Sequence, residues 1–305
     1  MVCRELNSLP DDFPTINLTS PRVVSVLLDK YGLAARKRLG QNFLIDQNTL
    51  QRILTAAMIE RPAQVLEIGT GLGTLTRELA KVADTVISVE IALELGPLLE
   101  ETLADLDNVR LILADALSLK FADLWQPELP RYIVANLPYY ITSPLLLACL
   151  ELEIPAKRMA FLVQREVAQR LVASPGSKLY GSLTVWAQAL AEVSVEGYVP
   201  ASVFYPAPAV ASAIVTLEPY HHSEHGLVSK QALELTNRAI FGQRRKKLRN
   251  ALNTSPHWQI PAAEIDKVLA DLALDPGIRG ESLTVKQIIA LANHLADYLP
   301  EQDDP

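Results

Sequence analysis

The stretch Glu67-Ile68-Gly69-Thr70-Gly71-Leu72-Gly73 decides the fold. It follows the short apolar run Val65–Ile68 and precedes an amphipathic stretch from Thr74 to Lys81, so a strand passes through a glycine turn into a helix. Glycines at such a turn let the chain reverse sharply and let main-chain N–H groups approach a ligand closely. A dinucleotide-binding loop reads G-x-G-x-x-G. This one reads G-x-G-x-G with Thr74 next, which disfavours a nicotinamide-dinucleotide dehydrogenase. Glu67, just ahead of the glycines, also disfavours a pyrophosphate.

Beyond the loop the chain alternates. Apolar runs at Thr85–Val89, Val109–Leu113, Tyr132–Ala135 and Met159–Val163 enclose helical stretches such as Leu93–Leu103 and Pro144–Leu150. This alternation predicts an α/β fold, a Rossmann-like, mostly parallel sheet with helices on both faces. Val193–Val199 and Ala213–Leu217 lack a clear helix between them and are expected to pair as an antiparallel edge. Pro206 and Pro208 exclude regular helix from their connection. Ahead of the loop, Ser20–Tyr31 and Asp46–Ala57 have helical period, with Ser20 as N-cap and Pro21 at the first helical position. After the polar stretch 219–226 only helical patterns remain: Lys230–Phe241, Arg244–Leu252, Ala262–Leu272 and Val285–Leu299. The expected organisation is a loose extension over 1–20, a main domain over 21–219, a linker over 220–229, a small all-helical domain over 230–299 and a tail over 300–305.

The 305-residue chain is 49% apolar and 21% charged, enough to bury a core and too apolar for disorder. Cys3 and Cys149 lie in no metal or redox spacing, and a reduced, buried Cys149 is expected. His221, His222 and His225 fall in the linker and are read as polar surface rather than as metal ligands. Residues 1–20 carry Glu5, Asp11 and Asp12 without an apolar core, and no run reaches the ~18 apolar residues of a membrane span. These features predict a cytoplasmic protein without metal. The net charge of −7 is a poor footprint for nucleic-acid binding, which favours basic surfaces. Local runs differ: Arg36-Lys37-Arg38, and Arg244, Arg245, Lys246, Lys247 and Arg249 with no acid among residues 241–252.

Glu90 ends the strand after the glycine loop, about 20 residues on, where a carboxylate can accept from both hydroxyls of a ribose. Asp115 ends the next strand at the same sheet edge. Three such features in register point to a nucleoside-containing cofactor, and S-adenosylmethionine, which lacks phosphate and carries a positive sulfonium, suits the acidic approach. The following strand ends in Asn136-Leu137-Pro138-Tyr139-Tyr140. Asn136 offers a carbonyl acceptor, and the Pro138 carbonyl is expected to point outward as a second. Two acceptors hold both N–H bonds of an exocyclic amine and turn its lone pair out of conjugation. Tyr139 is expected to stack on a base taken out of its helix.

These segments resemble the ribosomal RNA adenine N6,N6-dimethyltransferases, most of all the bacterial small-subunit type. The resemblance is carried by Leu39–Leu44, Glu67–Gly73, Val89-Glu90, Ala114-Asp115-Ala116, Asn136–Tyr140, Val163–Val167, Phe204–Val210 and Phe241–Asn250. It implies that Asn42, Leu44, Gly69, Gly71, Glu90, Asp115, Ala116 and Asn136 hold S-adenosyl-L-methionine. It also implies that Tyr139 and Phe204 sandwich the target adenine, with Asn136 and Pro138 at its amine. The basic runs would take RNA phosphates, and the partner would be 16S rRNA in an assembling small subunit, met by a monomer. Thr70 and Ala92 depart from the family pattern, where Pro and Asp are common. Two rivals stand beside this: a 23S rRNA adenine methyltransferase of the antibiotic-resistance type, and a non-catalytic RNA-binding assembly factor.

Overall fold

The computed structural model describes residues 16–35, 40–220 and 226–299. Arg36, Lys37 and Arg38, and the three linker histidines, lie outside the described residues.

Seven strands form the central sheet. β2 (Gln64–Ile68), β3 (Thr85–Glu90), β4 (Val109–Leu113), β5 (Arg131–Asn136) and β6 (Arg158–Gln164) run parallel; β9 (Ser212–Pro219) runs antiparallel to β6, and the edge strand β7 (Ala191–Val199) runs antiparallel to β9. The order is β4-β3-β2-β5-β6-β9-β7. Every expected strand forms, and the edge pairing is antiparallel as read. A two-stranded ribbon, β1 (Phe43–Leu44) against β8 (Phe204–Tyr205), stands apart from the sheet. It escaped the sequence reading because two residues have no period.

Helices cover both faces, as expected. α2 (Gln47–Ala57) and α3 (Thr74–Val82) pack one face, and α5 (Thr142–Leu150), α6 (Arg165–Leu171) and α7 (Ser182–Leu190) the other. α1 (Pro21–Lys30) begins with Ser20 as N-cap and Pro21 in its first turn, and packs with α4 (Gly96–Thr102) at the rim. Asp46 caps α2 by accepting the Thr49 N–H at 2.7 Å. Leu18, inside the expected loose extension, is buried against this rim cluster. β2 is buried at every position, so its polar residues need partners. The Gln64 amide supplies one set, donating to the carbonyls of Gln126 and Leu129 and accepting the Gln126 N–H.

The C-terminal segment is helical: α8 (Lys230–Gly242), α9 (Leu248–Asn253), α10 (Ala262–Asp271) and α11 (Val285–Leu295). The expected continuous helix Arg244–Leu252 is corrected: Gln243–Lys247 is a turn, and α9 starts at Leu248, whose N–H donates to Ile278 O at 2.7 Å. At this turn Lys247 forms an antiparallel bridge with Arg279. α8 and α11 pack on α7, and one apolar cluster runs unbroken from Leu66 in the sheet to Leu295. Tyr180 ties the two parts. It is fully buried, its ring meets Phe241 edge-on at 5.9 Å, and its hydroxyl donates to Leu283 O at 2.8 Å. Among the described residues no helix is long and apolar enough to cross a membrane.

Tyr180→Phe leaves the Leu283 carbonyl unpaired in the core. We expect a loss of about 1–2 kcal/mol, read from urea unfolding, with sheet and helical segment still melting in one transition.

Candidate active site

Between β2 and β5 the strand order reverses, and a crevice opens at their carboxyl ends, where ligands of such sheets bind. There lies a cleft of about 890 Å³, part of it open to solvent. It gathers Asn42, Leu44, Gly69, Gly71, Glu90, Asp115, Ala116, Asn136, Pro138 and Tyr139. Thus all but one of the residues expected at the cofactor and target amine share one cavity.

The glycine loop has a steric reason. Gly69 and Gly71 adopt φ of 88° and 60°, conformations costly for residues with a Cβ. A Cβ on Gly69 would sit 3.4 Å from Asn136 O, so the loop and the Asn136 motif touch through bare backbone. The Glu90 carboxylate holds the loop from the next strand, accepting the N–H of Gly71 and that of Ala92, each at 2.9 Å. Burial raises its pKa against these stabilising bonds. Its two oxygens together keep acceptor capacity for a further donor. Asp115 accepts the Leu117 N–H at 2.9 Å, capping a short turn, and stays exposed at the cleft wall.

Glu67 differs from its sequence reading. It is fully buried, and burial pushes its pKa up to about 8, against the opposing pull of bonds from Ser88 and Thr76. Both hydroxyls donate to Oε2 at 2.6 Å, so Ser88 must accept from Thr70 at 2.7 Å. At neutral pH the group is therefore largely protonated, and it sets no negative charge against a pyrophosphate. Its Oε1 is buried without a protein partner, in a residue that lines the cleft.

At the end of β5, the Asn136 amide Nδ2 donates to Asn42 O at 3.3 Å, which leaves Oδ1 as acceptor. The Asn42 amide in turn bonds Gly40 O at 3.0 Å, bracing the arm. Tyr139 is half-buried and its hydroxyl shares a 2.6 Å bond with Ser212 at the start of β9. Burial raises its pKa despite that bond. Pro138 is a correction. Its carbonyl accepts from Ile141 N at 3.2 Å and Thr142 Oγ1 at 3.0 Å, starting α5, and is no free acceptor. Leu137 O is the motif's main-chain carbonyl next to Asn136 that receives no such bond. Phe204 lies outside the cleft lining, 3% exposed in the apolar cluster and paired across the ribbon with Leu44. Sequence reasoning missed Ser212, Ile91 and Phe43. The last two flank residues it had selected, but nothing local marks Ser212.

The basic run divides. Arg244 pairs with Glu281 at 2.9 Å and Arg249 with Asp266 through two bonds, while Arg245, Lys246 and Lys247 stay exposed. Among the described residues no three His, Cys, Asp or Glu gather as metal ligands. Cys149 is a buried free thiol whose pKa burial pushes up to about 12.

Glu67 yields a pH prediction. Between its ordinary pKa and about 8 the unfolded chain releases a proton that the folded chain keeps, so stability falls as pH rises through that window. Glu67→Gln removes this linkage. Thermal melts from about pH 5 to 8 should show the variant losing a few degrees less than wild type; parallel curves would disprove a protonated Glu67.

Residues 32–293 match the family model described as ribosomal RNA adenine dimethylase. A Listeria innocua protein named ribosomal RNA small subunit methyltransferase A is 40% identical over 292 residues, covering 94% of this chain and 99% of its own. The protein of that name from Geobacillus thermodenitrificans is 39% identical over 284 residues, covering 92% and 97%. Of the solved structures, a dimethyladenosine transferase from Plasmodium falciparum matches with TM-score 0.71 and 25% identity over 84% of this chain and 98% of its own. The 23S rRNA methyltransferase ErmE matches with TM-score 0.64 and 28% identity over 84% and 100%. Membership in such a family implies a methyl donor of the S-adenosylmethionine type. The chain belongs to the ribosomal RNA adenine dimethylase family.

Proposed function

We propose that this chain dimethylates the N6 amines of two adjacent adenosines near the 3′ end of 16S rRNA, in the assembling small subunit. It acts in the cytoplasm as a monomer. The observation that carries the reading is the contact between Gly69 and the Asn136 motif, which sets a nucleoside pocket against an amine-holding strand end.

The cleft fits S-adenosyl-L-methionine. Glu67 Oε1 has no protein partner at the wall, the glycine loop leaves room where side chains would intrude, and Glu90 and Asp115 retain acceptor capacity. When bound, this group supplies an electrophilic methyl on a positive sulfur. Gly69 and Gly71 would line it, Glu90 would accept from its ribose, Asp115 and Ala116 would meet its adenine, and Asn42 and Leu44 would close it from the arm.

The chain's own residues prepare the acceptor. Asn136 Oδ1 takes one N–H of the target amine, and Leu137 O, rather than Pro138 O, takes the other. The amine's lone pair then leaves conjugation and becomes nucleophilic. Its proton turns acidic as the N–C bond forms, so no charged base is required. Tyr139, fixed by Ser212, stacks on the adenine, and Phe204 would complete the sandwich if the β1–β8 ribbon moves to expose it. Alignment supplies much of the rate, as proximity effects reach about 7–11 kcal/mol. Arg245, Lys246 and Lys247, with Arg36, Lys37 and Arg38, take phosphates. Arg244 and Arg249 contribute less, since their acidic partners already neutralise them.

Radiolabelled methyl transfer to small subunits lacking base dimethylation, with large-subunit rRNA in parallel, tests the assignment. Label as dimethyladenosine in small-subunit RNA alone is expected; label in large-subunit RNA alone transfers the assignment to the 23S-modifying type. No label in either favours a non-catalytic factor. Asn136→Ala should lower kcat on the order of 10²–10³-fold with an unchanged melting temperature, and near-normal turnover in it would sink the acceptor scheme. Replacing Arg245, Lys246 and Lys247 together by Ala should raise KM for subunits and flatten its salt dependence, whereas Arg249→Ala alone should change that dependence little.

A further inference from the structure

A second aromatic site lies on the outer edge of the sheet. Tyr198, near the end of β7, is 51% exposed, and the Arg165 guanidinium sits 4.9 Å from its ring centroid. Arg165 is itself exposed and forms no ion pair among the described residues. Its main-chain N–H donates to Ala211 O at 2.9 Å, which fixes the start of α6 beside β9.

A β-bulge builds this arrangement. β7 pairs Val195 with Val215 and Tyr198 with Ala213, with the register slipping between Val195 and Gly197. Strict alternation would put Val195 and Tyr198 on opposite faces. The inserted residue returns Tyr198 to the Val195 face, which is the face α6 covers. The inserted position is paid out to the other side, where Glu196 accepts the Thr216 hydroxyl at 2.8 Å. Gly197 carries a φ of 147°, and a Cβ on it would lie 2.6 Å from an Arg52 nitrogen. Arg52, from α2, donates two bonds of 3.3 Å to Tyr198 O. Three elements therefore hold one exposed tyrosine under one unpaired guanidinium. Neither residue lines the cleft.

We infer that Tyr198 and Arg165 form a stacking platform for an unpaired nucleobase of the substrate RNA. An aromatic ring with an adjoining guanidinium is the sequence-tolerant way to hold single-stranded nucleic acid. Arg165 covers one side of the ring and the exposed remainder receives the base, while the guanidinium's outward N–H groups reach the neighbouring phosphate. The platform stands three strands from β5, about 14 Å at the usual strand spacing. It therefore takes a base a few nucleotides from the target, and holds the strand extended while the target enters the cleft. Tyr139 is bonded to Ser212, which pairs with Val199, the residue after Tyr198, so the two aromatic sites share one rigid edge. The inference rests on the RNA-methylating reading of the cleft.

The test uses the full chain with a short single-stranded oligoadenylate as probe, followed by fluorescence anisotropy. Tyr198→Ala should weaken binding about tenfold, and Tyr198→Phe, which keeps the ring, should match wild type. In methyl transfer to small subunits Tyr198→Ala should raise KM and leave kcat, donor affinity and melting temperature unchanged. Equal oligoadenylate binding and equal KM in wild type and Tyr198→Ala overturn the platform. Wild type that methylates no rRNA while its oligoadenylate binding still depends on the Tyr198 ring overturns the methylation reading and leaves the platform in place.

Discussion

At the middle of the sheet β2 has β3 on one side and β5 on the other, and the chain leaves the two central strands in opposite directions. α3 follows β2 onto one face, and α5 follows β5 onto the other. The strands' carboxyl ends are thus left uncovered by any helix, and backbone groups there face a crevice. Everything functional in this molecule depends on that divergence. The glycine loop, the two carboxylates on β3 and after β4, and the Asn136 motif belong to separate segments. They meet because each lies at the end of a parallel strand in one register. The near contact of Gly69 with the Asn136 carbonyl closes the arrangement.

The buried polar groups around this crevice show how its energetics are balanced. A carboxyl group in the middle of a dry sheet is costly as an anion. Burial raises the pKa of Glu67, and the fold directs two hydroxyls to one of its oxygens. Glu90, nearer the opening, receives two main-chain N–H bonds and so holds the loop that would hold a ligand. Surface charge is balanced differently. Half-exposed Arg244 and Arg249 have acidic partners, while the three cations between them project from a turn. An acidic chain therefore presents a local cationic patch without a basic surface overall.

Most of the framework was legible in the order of residues. Every strand of the main sheet was readable from apolar runs; the central parallel strands β2, β3, β5 and β6, buried on both faces, are continuous in their hydrophobicity. α6 and α7 escaped: α6 is short, and α7 is apolar nearly all round, so neither shows a clear amphipathic period. The boundary at Arg244–Lys247 was misread for a related reason, since a run of long cationic side chains carries helix propensity. Its interruption there comes from pairing with a distant segment, Lys247 against Arg279.

The sequence by itself determined the α/β class and most of the residues that line the cleft, since these depend on local chemistry: glycine where φ is positive, carboxylates at strand ends, asparagine at the end of β5. Tertiary structure alone decided the rest. It placed the Pro138 carbonyl in the start of a helix and left that of Leu137 unbonded, paired Phe204 with Leu44 in the apolar cluster, brought Ser212 to Tyr139 and raised the pKa of Glu67. It also turned Tyr198 toward Arg165 through a bulge. Each of these follows from which distant atoms occupy the space around a group. Hydrogen-bond competition, burial and register are set by that space, and no neighbour in the chain encodes them.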